Sequence, residues 1–274
     1  MINNNSFALA LAKLKEKAPL VHNITNYVSV NDVANVLLAI GASPVMSHSP
    51  QDTQDLLAVV KAVGGALVLN IGTLDTEQVK NMLFAGARAN ELAVPIVLDP
   101  VGAGATKFRT ETALKLIKEI KIDLVRGNMS EIKALIGLAG QTKGVDSVAD
   151  ESDGKVVAVQ ASKLLGTNVA ITGATDYICN GKELVKINNG VKYLAKVTGT
   201  GCMTTALIAA FLTLAEPIEA ASYGICAMGL AGELAYENLG DAGIGTFRTK
   251  IFDKIEQLND QIINSRGKIS YEKC

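Results

Sequence analysis

From one end of the chain to the other, short aliphatic runs alternate with longer amphipathic segments. That alternation restricts the fold more than any other feature of the sequence. Residues 42–46, 65–71, 94–98, 122–125 and 168–171 are apolar nearly throughout and are bounded by turn residues such as Gly, Pro, Asp and Asn. A strand that shows water neither face loses its polar–apolar alternation and reads this way. Between the runs lie helical patterns: 31–40, with apolar residues at 33, 36, 37 and 40, then 75–92 and 110–120. Asp75 and Thr110 carry short polar side chains of the kind that cap helix N-termini, and Gln78 supplies half of a capping box for the first. Strand and helix in turn, joined by short links, predict an α/β fold. The expected architecture is a mostly parallel, doubly wound sheet flanked by helices on both faces.

After Thr198 the pattern changes. Segments 203–214, 217–239 and 247–263 read as three successive helices, the middle one with Ala, Gly and Cys on its inner spacing. Residues 137–153, rich in Gly, Ser and Asp, read as a long loop. No repeat, low-complexity stretch or linker interrupts the 274 residues, so a single domain is expected over 1–274. A chain of that length buries roughly three-quarters of its unfolded surface without help from a metal or disulfide. The N-terminus lacks a basic segment followed by an apolar one, so no secretory signal is expected. The uncharged stretch 197–215 opens with Thr-Gly-Thr-Gly and stops at Glu216-Pro217. It reads as a glycine turn and buried helix, not as a membrane span. A soluble, cytoplasmic protein that does not engage membranes is expected.

Composition narrows the function. Twenty-six basic residues face 27 acidic ones, which excludes a general nucleic-acid binder, because phosphate-backbone affinity needs a surplus of Lys and Arg. Two histidines, His22 and His48, are too few for a histidine-rich metal site, and both read as ordinary hydrogen-bonded loop residues. Four dispersed cysteines without a C-x-x-C pair read as reduced intracellular thiols.

In open α/β sheets ligands bind beyond the carboxyl ends of the strands, so the residues just after each apolar run are the first candidates. Leu98-Asp99-Pro100 places a carboxylate there, suited to a magnesium ion, to a hydroxyl, or simply to a turn. Val125-Arg126-Gly127-Asn128, with Glu131 three residues on, places a fixed cation before a helix whose first turn is acidic. Phosphate and metal contact fit that pattern, and so does a capping arrangement of Asn128 with Glu131. Ile171-Thr172-Gly173 sets a hydroxyl near Asp176. Val197-Thr198-Gly199-Thr200-Gly201-Cys202-Met203 runs into an apolar helix, and its two glycines let the free N–H groups of the first turn face one space. The positive end of that helix is an anion hole. Cys202 stands at its mouth, where its pKa is expected to fall. No G-x-x-x-x-G-K-[ST] occurs, and the late Gly-Thr-Gly lacks the third glycine of a dinucleotide site.

Taken together, His22-Asn23-Ile24-Thr25-Asn26-Tyr27-Val28, Gly41–Met46, Leu98–Gly104, Arg126-Gly127-Asn128-x-x-Glu131 and Val197–Cys202 resemble hydroxyethylthiazole kinase, a ribokinase-like family of thiamine salvage. Lys143–Asp146 and Met228–Glu233 add to the resemblance, which runs in order from about residue 7 to 263. It implies phosphorylation of the primary alcohol of 4-methyl-5-(2-hydroxyethyl)thiazole by ATP and Mg2+. By resemblance Met46 and Gly199 contact the thiazole, with Asn26 lining its pocket. Arg126 and Thr172 contact ATP, and Asp99 and Glu131 lie at the magnesium–phosphate region. Gly199, Gly201 and Cys202 form the catalytic turn. The family also implies a homotrimer whose thiazole pocket lies between subunits. Cys202 replaces the Asp base of related sugar kinases, and it is expected to orient, and partly deprotonate, the substrate hydroxyl. Two departures stand out: Val191-Lys192 where the family more often has His-Pro, and Gly243–Phe247 without the Pro usual after its first Gly.

Other readings make different expectations. A ribokinase-like kinase of another small alcohol, such as a hydroxymethylpyrimidine, would share the site. So would a ribokinase-like lyase or hydratase using nucleotide in another role. An NAD-dependent oxidoreductase would want the third glycine and a ribose-binding acid, and a scaffold protein would not need acid, Arg and anion turn at successive strand ends.

Overall fold

The structure, a computed structural model, describes residues 2–138 and 151–274. Its strands are β1 (Leu20–Ile24), β2 (Ser43–Met46), β3 (Ala66–Asn70), β4 (Ile96–Asp99), β5 (Leu124–Asn128), β6 (Asn168–Thr172), β7 (Asp176–Cys179), β8 (Glu183–Ile187) and β9 (Ile269–Lys273). The helices are α1 (Asn4–Lys17), α2 (Val30–Ile40), α3 (Pro50–Ala62), α4 (Thr76–Glu91), α5 (Lys107–Glu119), α6 (Met129–Leu135), α7 (Glu151–Leu165), α8 (Thr200–Leu212), α9 (Pro217–Glu237), α10 (Ile244–Glu256) and α11 (Asp260–Arg266).

The strands form one sheet in the order β2-β1-β3-β4-β5-β6-β7-β8-β9. Pairing is parallel from β2 through β6 and antiparallel from β6 to β9. The expected mostly parallel sheet with helices on both faces is what forms. β3 and β4 are buried along their whole length, which is why their sequences are apolar on both faces. On one face α1, α2, α8, α9 and α10 cover a core that includes Phe7, Leu37, Phe211 and Phe247. Phe7 stacks on Tyr223 and meets Phe211 edge-on, which locks α1 to α8 and α9. On the other face α3 to α7 cover Leu57, Leu69, Met82 and Leu116.

Chain order reverses at β1, which lies between β2 and β3. The segment after β1 leads to α2 on one face, while that after β3 leads to α4 on the other. A crevice opens between two strands whose connections part in this way, and it is the standard ligand position of such sheets.

Several local expectations change. Asp75 caps α4 by accepting the Gln78 N–H, as expected. The cap of α5 is Thr106, which accepts the Arg109 N–H. Thr110 lies inside that helix, its hydroxyl accepting the Gly104 N–H and donating to the Thr106 carbonyl. The expected helix over 247–263 is two helices, because Asn259 caps a new one by accepting the Ile262 N–H. His22 lies in β1, fully buried, with Nε2 2.6 Å from Ser47 Oγ. Residues 151–153 of the expected 137–153 loop open α7, while 139–150, and with them Lys143–Asp146, lie outside the described residues. Among the described residues no helix is long and apolar enough to cross a membrane.

Candidate active site

Asp99 ends β4 with its side chain fully buried. Its Oδ2 accepts from Asn70 Nδ2 at 2.9 Å and from the Thr205 hydroxyl at 2.8 Å, while Oδ1 has no partner. Burial pushes its pKa up to about 6; Arg126 pulls down, Glu131 pushes up, and the Thr205 and Asn70 hydrogen bonds pull down. Arg126, on the neighbouring β5, lies 11% exposed with Nη1 3.9 Å from Asp99 Oδ2. Its Nη2 donates to the Thr172 hydroxyl on β6. Cation and hydroxyl are thus already in contact between adjacent strands, Arg126 from the middle of β5 and Thr172 from the end of β6.

Glu131 takes the capping role that the sequence allowed. It closes a capping box on α6: Asn128 accepts the Glu131 N–H, and Glu131 Oε2 accepts the Asn128 N–H at 2.8 Å. Its Oε1 accepts the Gly102 N–H at 2.8 Å, and the side chain still lines the cavity that holds Asp99.

Opposite these strand ends stands the start of α8. Gly199 occupies the N-cap position at φ +87°, a left-handed conformation that glycine adopts freely, and it offers no capping side chain. The first-turn N–H groups therefore have no partner within the helix and face the crevice. A Cβ on Gly201 would lie 2.6 Å from Arg126 Nη1, so the bare backbone is what lets the guanidinium close on the turn.

Cys202 follows, with its Sγ 3.4 Å from Asn26 Nδ2. The expected fall in its pKa does not occur. Burial raises it and the nearby Asp99 charge raises it further, against hydrogen bonds from Ser29, Asn70 and Asn26. Desolvation and a like-signed neighbour here outweigh the three hydrogen bonds.

Asn26, Asp99, Arg126, Glu131, Gly199, Gly201 and Cys202 all line one cavity of about 300 Å3, and Thr172 joins through Arg126. Met46 is not in its lining. It ends β2, the edge strand, paired in register with Asn23 of β1. Sequence reasoning missed Asn70, buried at the end of β3 between Asp99 and Asn26, and Thr205, one turn after Cys202. It also missed Arg109, whose guanidinium holds the Gly72 and Val101 carbonyls at the rim. A polar residue inside an otherwise apolar run was the available signal for Asn70.

Asp176, behind Arg126, carries a stability consequence. Burial pushes its pKa up to about 7 against the Gly173 N–H and Arg126, which lower it. A carboxyl whose folded pKa is raised above its usual 3.8 stabilises the fold at low pH, and that contribution is lost as pH rises through about 7. Asp176→Asn keeps an oxygen for the Gly173 N–H and cannot ionise. It is expected to be more stable than the parent at pH 8, by up to about 4 kcal/mol, and so to melt higher, with the gap closing at pH 4. Equal midpoints at pH 8 would remove this account.

The model of the hydroxyethylthiazole kinase family matches residues 11–261. The hydroxyethylthiazole kinase of Clostridium beijerinckii is 48% identical over 265 residues, covering 94% of this chain and 95% of the relative. The solved structure of the hydroxyethylthiazole kinase protein from Pyrococcus horikoshii superposes with a TM-score of 0.89 at 40% identity, covering 97% of this chain and 99% of that one. A ribokinase-like superfamily protein from Enterococcus faecalis shares the fold at 13% identity and a TM-score of 0.63, over 90% of this chain and 89% of that one. By the family model and by these identities over nearly its whole length, the chain belongs to the hydroxyethylthiazole kinase family.

Proposed function

We propose that the chain transfers the γ-phosphoryl group of ATP to the primary alcohol of 4-methyl-5-(2-hydroxyethyl)thiazole, with Mg2+. The observation that carries this reading is the meeting of an uncapped helix N-terminus, a buried carboxylate with a free oxygen and an Arg–Thr pair around one cavity. Phosphoryl transfer is catalysed chiefly by positioning and charge neutralisation, which is what these groups offer. The Gly199–Gly201 turn receives the transferring phosphoryl on its amide hydrogens, and Arg126 with Thr172 holds the ATP phosphates. The residues fit a magnesium ion: Asp99 Oδ1 is a buried, unpartnered hard oxygen. Asp99 would hold the ion, and Glu131, both of whose oxygens accept backbone N–H groups, would add charge behind it. When bound, the ion neutralises phosphate charge.

Cys202 and Asn26 hold the acceptor hydroxyl at the opposite wall, and Met46 and Gly199 take the thiazole. Met46 on an edge strand, together with Tyr27 and Val28 exposed at 79% and 60% beside the cavity, suits a thiazole pocket completed by another subunit of a homotrimer. One domain acting in the cytoplasm completes the reading. Light scattering that returned the mass of a single chain would remove the shared pocket.

Purified chain with the thiazole alcohol, ATP and Mg2+ is expected to release ADP and the phosphorylated thiazole together. A folded protein that turned over neither would overturn the reading, and turnover of a hydroxymethylpyrimidine alone would favour the sister kinase. Burial and the nearby Asp99 charge disfavour the thiolate, so the reading gives Cys202 the orienting role. Cys202→Ser is expected to keep kcat within about tenfold at pH 7.5, since loss of a true general base costs about 10²–10⁴. A thousandfold loss would restore the thiolate role.

A further inference from the structure

We propose that Asn70 is a positioning residue that sets the carboxylate and the thiol of this site against each other. The inference rests on the phosphotransfer reading of the cavity. Asn70 is 1% exposed and all of its polar groups are engaged. Its Oδ1 accepts the Gly72 N–H at 3.0 Å and Asn26 Nδ2 at 2.8 Å. A backbone N–H can only donate, so the amide cannot be turned over, and its NH2 must face Asp99 Oδ2, 2.9 Å away.

The same logic fixes Asn26. Its Oδ1 accepts the backbone N–H groups of Val28 and Ser29 at 3.1 and 3.0 Å, and the Ser29 hydroxyl at 3.1 Å. Its NH2 is therefore left to Asn70 Oδ1 and to Cys202 Sγ. The result is a directed relay. Cys202 receives an N–H from Asn26, Asn26 is held by Asn70, and Asn70 holds Oδ2 of Asp99.

Two consequences follow for the reaction. With Oδ2 taken by Asn70 and Thr205, Oδ1 is the oxygen that Asp99 keeps without a partner. The thiol that faces the acceptor alcohol is placed by the same amide that places this carboxylate. No similar side chain substitutes for it: Asp would set an acceptor against Asp99, Ser would fall short, and Gln would overfill a closed space.

The test uses Asn70→Ala, Asn26→Ala and the double variant in the full chain, with two readouts. Steady-state kinetics are expected to show kcat falling by about 100-fold, with KM for ATP and thiazole alcohol within about threefold. The second readout needs neither ATP nor metal: alkylation of Cys202 by iodoacetamide at fixed pH, followed on its own peptide by mass spectrometry. Loss of the Asn26 N–H removes a hydrogen bond that favours the thiolate, so alkylation is expected to slow several-fold in each single variant. The double variant is expected to lose no more than the worse single one, because both cut one relay.

Additive kcat losses, a kcat within about threefold of the parent, or an unchanged alkylation rate would overturn the proposal. Should Asn70→Ala not fold, Asn26→Ala decides by the same two criteria. It leaves the Asn70–Asp99 bond in place and takes the Asn26 N–H from the thiol. If the parent chain itself did not phosphorylate the thiazole alcohol, the functional reading would fail; the alkylation comparison would still decide whether Asn70 sets the thiol.

Discussion

Asp99→Asn is expected to cut kcat by about a thousandfold and at the same time to raise the melting temperature. The two effects have one cause. The Asp99 carboxyl is fully buried, and burial outweighs Arg126 and its two hydrogen-bond donors to leave the pKa near 6. Folded Asp99 therefore binds a proton more tightly than the unfolded chain does, with its usual 3.8. The stability this contributes is full below about pH 4 and is lost as pH rises through about 6, so at pH 8 the ionised group costs about 3 kcal/mol. An Asn of the same shape keeps an oxygen for Asn70 Nδ2 and the Thr205 hydroxyl and has no charge to bury. It also removes the unpartnered anionic oxygen of a residue that lines the cavity. Midpoints measured with chelator present should differ at pH 8 and converge at pH 4, while turnover collapses at both saturating substrates. A variant no more stable than the parent at pH 8, or one that retained turnover, would contradict this placement of strain at the working carboxylate.

How much of this could be read in advance varied by the physics of each element. Runs 65–71 and 94–98 announced β3 and β4 because those strands are covered on both faces and have little use for polar residues. β1 escaped because it carries His22 and Asn23, buried polar residues that break an apolar run. β8 and β9 escaped because they are antiparallel strands at the edge of the sheet, where Glu183–Ile187 and the largely exposed Ile269–Lys273 mix charge with hydrophobe. Within 247–263 the amphipathic period continues across a helix break, and only the cap at Asn259 marks it. The site followed the strand ends, so Asp99, Arg126 and Thr172 were legible there, as was the glycine turn before α8. The sign of the Cys202 shift was not legible. It depends on burial and on a carboxylate more than a hundred residues away in sequence, and both are properties of the assembled core.

Gly201→Ala is expected to reduce kcat/KM for ATP by about 100-fold or more without loss of stability, which separates the phosphate turn's function from its folding. Gly201 is the second residue of α8, in helical conformation, and Ala is the better helix former there by about 0.5–1 kcal/mol. What the new Cβ meets is the far end of a side chain: Arg126 Nη1 at 2.6 Å and Nη2 at 3.2 Å. A guanidinium can swing aside, so the fold survives. In swinging it leaves Thr172 and Asp99, and the cation no longer stands where the phosphates bind. Gly199→Ala should behave differently. There the backbone sits at φ +87° and the Cβ would lie 2.9 Å from Ser29 Cβ, so stability falls as well, by about 1–3 kcal/mol. Gly240→Ala, at φ +58° with nothing within 4 Å, should show the backbone cost without the kinetic one. Combining Gly201→Ala with Arg126→Ala should add little to the loss from Arg126→Ala alone, because both remove the same contact. If Gly201→Ala bound and used ATP like the parent, Arg126 would not be the group that meets the nucleotide across this turn.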